Sequence, residues 1–197
     1  DLMNAVFAAL LGFALGSIPF GLILTRAAGL GDVRKIGSGS IGATNVLRTG
    51  NKGLAAATVL LDAAKAVIPV LVARAFWPGT EGIAAVAAVA GHCFTPWLAF
   101  KGGKGFASAA GALGALAWPA MLVCAAIWGV TLYLSRISSV SSLVSVIAAP
   151  VVAWGLGYPQ VIPPLIAIAA IVIIQHRANI GRLMRGEEPK VGSSAKP

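Results

Sequence analysis

Apolar residues run along this chain in seven stretches divided by short polar or basic connections. They are Leu2–Leu24, Leu54–Trp77, Gly82–Phe100, Phe106–Trp118, Pro119–Leu134, Val140–Leu156 and Val161–Ile174. The first three approach or exceed the ~20 residues that cross a bilayer as helix. The last four hold 13 to 17 residues. They span only if polar flanks continue the helix or the bilayer thins locally. Trp118-Pro119 makes a tight turn between the fourth and fifth. The pattern predicts an all-α polytopic membrane protein, one domain over 1–197, with about seven transmembrane helices. A five-span version, with the fourth and fifth stretches as a re-entrant pair, is the alternative. No positive segment precedes the first stretch and no clear cleavage site follows it, so it reads as a retained helix rather than a signal peptide.

Composition makes lipid the solvent. The chain is 58% hydrophobic and only 11% charged, against about 25% charged in soluble domains. That is too little polar surface to cover a globule in water. Cys93 and Cys124 lack CxxC spacing, so no disulfide framework or metal cluster is implied.

The net charge of +9 follows topology. Arg26, Arg34, Lys35, Arg48 and Lys52 lie in the first connection, Lys101 and Lys104 in the third, and Arg136 in the fifth. Arg177, Arg182, Arg185, Lys190 and Lys196 lie in the tail. The second, fourth and sixth connections hold none. Seven spans with the N-terminus outside and the C-terminus cytoplasmic put every basic connection inside. That distribution disfavours a nucleic-acid partner. Asp62 and Lys65 lie within a span, three residues apart on one helix face. Intramembrane charge is a functional signal by default, and an internal ion pair that fixes helix packing is the plainer reading.

Three polar clusters break the apolar pattern. The first reads Gly37-Ser38-Gly39-Ser40-Ile41-Gly42-Ala43-Thr44-Asn45-Val46-Leu47-Arg48. Its glycines permit positive φ and close backbone approach to a ligand. Successive N–H groups in such a loop form an anion-binding concavity, and Arg48 adds a fork suited to phosphate. A flexible polar linker would need neither Thr44-Asn45 nor Arg48. The second cluster, Lys101-Gly102-Gly103-Lys104-Gly105, leads into a helix start, where partial positive charge favours anions. It lacks the spacing and the Ser or Thr of a nucleotide-binding P-loop. His92 stands just before it, either as a base or as a structural hydrogen-bonding residue. The third cluster is Gln175-His176-Arg177-Ala178-Asn179-Ile180-Gly181-Arg182. At helical spacing, His176, Asn179 and Arg182 fall within an arc of roughly 120°. The competing role is a juxtamembrane tail on anionic lipid. All three clusters fall on the expected cytoplasmic side. Three phosphate-type elements imply more than one phosphate. Paired carboxylates, an HxxxxD motif and a Ser-His-Asp order are missing, which points to an already activated substrate.

These clusters resemble those of the bacterial membrane glycerol-3-phosphate acyltransferases that use acyl phosphate (PlsY type). The likeness covers nearly the whole chain and rests on Gly42-Ala43-Thr44-Asn45 with Arg48, on Phe100-Lys101-Gly102-Gly103-Lys104-Gly105, and on His176-Arg177 with Asn179 and Arg182. It implies acyl transfer from acyl phosphate to the 1-hydroxyl of sn-glycerol 3-phosphate, at the cytoplasmic face of the bacterial inner membrane. No cofactor or metal is implied. By resemblance, Ser38, Arg48, Lys104, His176 and Asn179 hold glycerol phosphate. Gly39, Ser40, Gly42, Ala43, Thr44, Asn45 and the Gly102-Gly103 backbone surround acyl phosphate, with Lys101, Arg177 and Arg182 in support. Two positions depart from the family pattern: Ser40 stands where Asn is usual, and Phe106-Ala107-Ser108 where Val-Ala-Thr is usual. The rival reading is a transporter of a phosphorylated anion. It would call for repeat symmetry and broken helices at the bilayer midplane, and neither is evident.

Overall fold

A computed structural model describes residues 1–193; Lys196 of the basic tail lies outside the described residues. Every regular element within them is helical. In order they are α1 (Leu2–Gly16), α2 (Phe20–Ala27), α3 (Ala43–Leu47), α4 (Lys52–Phe76), α5 (Glu81–Cys93), α6 (Phe106–Leu116), α7 (Trp118–Ser135), α8 (Ser138–Gly155), α9 (Ile162–Gln175) and α10 (Arg177–Met184). All seven apolar stretches are therefore helical. Four helical units are long and apolar enough to cross a membrane: Leu2–Ala27, Lys52–Phe76, Trp118–Ser135 and Ser138–Gly155. The bent pair of α9 and α10 makes a fifth if taken as one span.

Two stretches depart from the expected continuous spans. The first is split into α1 and α2 at Ser17-Ile18-Pro19. Pro19 has no N–H to donate, and it disfavours helical backbone at Ile18. The third was expected to run to Phe100, but α5 stops at Cys93 after 13 residues. Thr95-Pro96 ends it for the same reason. The chain then passes a short 3₁₀ turn, Pro96–Leu98, and two left-handed non-glycine residues, Ala99 and Phe100. Such conformations carry strain of roughly 1–3 kcal/mol each, held here by Phe100 N donating to Thr95 O and Lys101 N to Leu98 O.

Close packing relies on small residues. Gly12 and Gly16 of α1 pack so near α5 that a Cβ on either would strike the carbonyls of Ala84 and Ala88. Gly91 of α5 is pressed in the same way against Phe13 O of α1. This is the small-residue seam by which membrane helices gain contact without a hydrophobic drive. Behind it, Ala66 and Val70 of α4, Ala112 of α6 and Val172 of α9 are buried in one continuous core. The pairing of Gly12 with Ala84 and Gly16 with Ala88 makes α1 and α5 parallel. Cys124 O accepts from Ser145 Oγ, and Trp128 Nε1 donates to Ser142 Oγ, so α7 and α8 run antiparallel. The Gly37–Arg48 loop, the Lys101–Gly105 loop and the α9–α10 corner consequently gather at one end of the bundle. At the other end, Arg74, Glu81, Gly82, Leu116 and Pro164 line an open cavity of about 860 Å³.

Candidate active site

The first cluster is built around Asn45. The α2 helix feeds a 3₁₀ turn, Val33–Lys35, capped by Asp32. Asp32 also pairs with Arg26 at 3.1 Å and Arg34 at 2.6 Å. The hydrogen bonds from Arg34 hold its carboxyl well below the usual carboxylate range. The Asn45 amide nitrogen donates to Val33 O at 2.8 Å, Ile36 O at 3.2 Å and Ser40 O at 2.8 Å. Its oxygen accepts from Ser38 N at 3.2 Å and Arg48 Nη1 at 3.1 Å. Asn45 is thus a buried pin whose side chain is committed within the loop, rather than an open donor. Gly37 has φ +49°, and a Cβ there would collide with Arg48 Nη1 and Asn45 Oδ1. The guanidinium of Arg48 lies across that missing side chain. Gly39 also has positive φ, whereas Gly42 is the extended N-cap of α3 at φ −74°. Ser40 Oγ accepts from Gly42 N at 3.2 Å. Ser38 and Thr44 are exposed, and Ala43 is half-buried.

The second cluster is a return loop against the end of α5. Gly102 N donates to Cys93 O at 2.9 Å and Gly103 N to His92 O at 3.1 Å. These two N–H groups are therefore spent on helix carbonyls, not left open before α6 as the glycine pattern suggested. A Cβ on Gly102 would strike His92 O, and one on Gly103 would strike His92 Nε2. The imidazole of His92 lies under Gly103. It is 4% exposed, and its Nδ1 is 2.9 Å from Lys65 Nζ. Lys65 in turn pairs with Asp62 Oδ1 at 2.9 Å, the local pair the sequence suggested. Gln175 Nε2 donates to Gly103 O at 3.1 Å, tying the loop to α9. Gly105, at φ +88°, opens α6 without a side-chain cap. Lys104 is half-buried and Lys101 exposed.

In the third cluster the last apolar helix bends by 61° between α9 and α10. His176 sits at the corner, buried, with Nδ1 2.7 Å from Val172 O. Asn179 and Arg182 follow at three-residue spacing on α10. Both turn to one carboxylate that the sequence reading passed over. Glu188 Oε1 accepts from Asn179 Nδ2 at 2.5 Å and from Ser139 Oγ of α8 at 2.8 Å. Its Oε2 accepts from Arg182 Nε at 2.7 Å. Burial alone would raise this carboxyl, but the hydrogen bonds from Asn179, Ser139 and Arg182 carry it below its ordinary value. The signal was a Glu187-Glu188 pair inside an otherwise basic tail. Asn179 Oδ1 is buried with no hydrogen-bond partner among the described residues. Arg177 is exposed and bonds back to Ile174 O at 3.1 Å.

The clusters converge on Lys104. Burial lowers its ammonium below the ordinary lysine value, Glu188 acts to raise it, and the guanidiniums of Arg182 and Arg48 lower it further. Arg48 from the first cluster, Lys104 from the second and Arg182 on α10 thus share one electrostatic neighbourhood. Three cations act there beside one carboxylate, which Arg182 alone of the three bonds directly. Such an excess, with a helix N-terminus beside it, suits a ligand carrying phosphate.

Fold and site together define a polytopic helical membrane protein with a cationic cluster at one end of its bundle. The chain belongs to the glycerol-3-phosphate acyltransferase family: the family model of that description matches residues 6–186. The glycerol-3-phosphate acyltransferase of Erythrobacter litoralis is 58% identical over 191 residues, 97% of each chain. That of Mesorhizobium japonicum is 54% identical over 95% of this chain and 96% of its own. Among solved structures, the integral membrane glycerol 3-phosphate acyltransferase PlsY in its glycerol 3-phosphate form superposes with a TM-score of 0.90 at 34% identity. The alignment covers 95% of this chain and 96% of that one. The lysophosphatidic acid form of the same enzyme gives 0.87, with 95% of each chain covered.

Proposed function

We propose that this protein transfers a fatty acyl group from acyl phosphate to the 1-hydroxyl of sn-glycerol 3-phosphate. The products are 1-acyl-glycerol 3-phosphate and inorganic phosphate. The observation that carries this reading is that Lys104, half-buried in its glycine loop, feels the positive charge of both Arg48 and Arg182 as well as the carboxylate of Glu188, to which Arg182 is bonded. Two phosphate-bearing reactants would need that surplus of positive charge.

Acyl phosphate is a mixed anhydride, so the enzyme needs no nucleophile of its own. The glycerol oxygen attacks the acyl carbonyl carbon, the bond from that carbon to the phosphate oxygen breaks, and phosphate departs with the electron pair. Ser38, Arg48, Lys104, His176 and Asn179 hold glycerol phosphate. The unpartnered Asn179 Oδ1 is a ready acceptor for a substrate hydroxyl. Gly39 to Thr44 and the Lys101–Gly105 loop line the acyl phosphate side, with Asn45 shaping the wall from within. Catalysis is then chiefly positioning and charge stabilisation. The hydroxyl proton passes to a phosphate oxygen of the substrate. His92 is a poor rival as base, because it is buried and its Nδ1 faces the Lys65 amine at 2.9 Å. The acyl chain stays in lipid. Seven passes, with the N-terminus outside, would put the site on the cytoplasmic face of the inner membrane. No acyl-CoA or acyl carrier protein takes part.

The test is phosphate release by the purified protein in detergent or lipidic cubic phase, with palmitoyl phosphate and glycerol 3-phosphate. Release that depends on both substrates supports the proposal; vectorial uptake without turnover would favour a transporter. His92→Gln is expected to keep at least about a tenth of the activity. A loss beyond roughly a thousandfold would make His92 the base after all.

A further inference from the structure

The buried charges of α4 touch the roots of two site loops. Lys65 Nζ donates to Ile18 O at 2.8 Å, lies 2.9 Å from His92 Nδ1 and lies 2.9 Å from Asp62 Oδ1. Lys65 and Asp62 are each 2% exposed, and His92 4%. Ile18 is the break from which α2 starts toward the Gly37–Arg48 loop. His92 lies beneath Gly103 and receives its N–H on the backbone carbonyl. One amine therefore holds the foundations of the first and second clusters at once.

The chemistry fixes more than contact. A lysine ammonium has three N–H donors and no lone pair. The amine is the stronger base of the two nitrogens, so Nζ keeps the proton. Nδ1 of His92 must then accept, which leaves the single ring proton on Nε2, the nitrogen facing Gly103. We propose that Lys65 is a positioning residue: it holds His92 as the neutral Nε2–H tautomer and so sets the seat of the Lys101–Gly105 loop. The displaced group, were Lys65 lost, would be Lys104. The tautomer follows from the contact and the relative basicity of the two nitrogens, without reference to turnover. The effect on activity rests on the acyl transfer proposed above.

The chain has two histidines, which makes a spectroscopic test direct. Full-length protein labelled with ¹⁵N-histidine is measured by NMR, with His92→Gln assigning the pair. The wild type is expected to show His92 protonated at Nε2 and bare at Nδ1. An Nδ1–H tautomer or an imidazolium in the wild type overturns the proposal. Lys65→Met is expected to release the fixed tautomer and raise KM for glycerol 3-phosphate about tenfold, with kcat changed less than about threefold. A released tautomer with unchanged KM overturns the coupling to the loop. Gly103→Ala approaches from the other side, by displacing the ring with Lys65 intact. It is expected to raise the same KM without disturbing Lys65, and an unchanged KM counts against the proposal even if Lys65→Met fails to fold. Absence of acyl transfer in the wild type would sink the activity reading only, because the tautomer is read without turnover.

Discussion

Asp62, Lys65 and His92 lie among packed helices; Lys65 reaches Ile18 O and His92 Nδ1 and forms an ion pair with Asp62 Oδ1, an oxygen that makes no hydrogen bond among the described residues. Arg48, Lys104 and Arg182 lie where loops and helix ends gather, near enough for Lys104 to feel the other two, and Arg182 pairs with Glu188. The first group is balanced and shut away from solvent. The second carries more cation than anion, and Arg48 stays exposed. Charge this far from water is tolerated when it is paired, and Asp62 and Lys65 pair with each other, so the closed group is suited to fixing geometry. Surplus charge at a boundary has no such constraint and can be held for a ligand. The contrast separates the residues that shape this site from those that face substrate.

The sharpest way to break the contrast is Asp62→Ala. It leaves a buried lysine without its counter-ion, and loss of one partner of such a pair removes about 3–5 kcal/mol. The thermal unfolding midpoint in detergent is expected to drop steeply; an unchanged midpoint would erase the distinction. Lys104→Ala should do the reverse. Turnover is expected to fall by about a hundred- to a thousandfold, as when one charge-stabilising donor is removed, with the midpoint close to wild type. Collapse of stability with activity retained per folded molecule would put Lys104 in the closed group.

Glu188 stands between the two groups. Its folded value lies below the ordinary carboxylate value, so its contribution to stability is complete above roughly pH 4.3 and is lost as pH falls through the folded value. Unfolding midpoints taken from pH 5 down to pH 3 should fall more for the wild type than for Glu188→Gln. Parallel curves would deny Glu188 its part in tying the tail to Ser139, Asn179 and Arg182. The smallest effect is expected at Ser40→Asn, since the Ser40 hydroxyl bonds only locally, to Gly42 N. A change in kcat/KM under about threefold, or ~0.7 kcal/mol, is expected; a tenfold change would make residue 40 a direct substrate contact.

Much of this was written in the sequence, at the level where pattern reports physics. Apolar runs and the alternation of basic connections located all seven helical stretches, because both follow from the lipid environment. The prolines at 19 and 96 were equally visible, yet the apolar residues around them masked the break after Gly16 and the early end at Cys93. Residue type named the clusters but could not say which way a group faces. Asn45 reads as an open amide and is in fact a pin, since three carbonyls of its own loop lie within its reach. The N–H groups of Gly102 and Gly103 read as free and are tied to Cys93 and His92. Glu188 escaped notice because its partners lie on α8 and α10, and only tertiary structure brings those helices to the tail. The link from Lys65 to His92 crosses 27 residues and has no periodic signature.

The gap between α1 and α2 also bears on how the chain is assembled. Breaking the helix at Pro19 strips Ser17 O and Ile18 O of their helical donors, and lipid has no water to replace them. Ile18 O finds Phe20 N at 3.0 Å and Lys65 Nζ at 2.8 Å, whereas Ser17 O accepts from Thr95 Oγ1 at 2.7 Å, a donor that emerges nearly eighty residues later. An N-terminal hairpin made only of the first helices would carry a bare carbonyl until α5 and the segment after it had entered the membrane. Maturation of the amino end must therefore wait for the middle of the chain, and a nascent protein halted before Thr95 would present an unfinished seam to whatever surveys new membrane proteins.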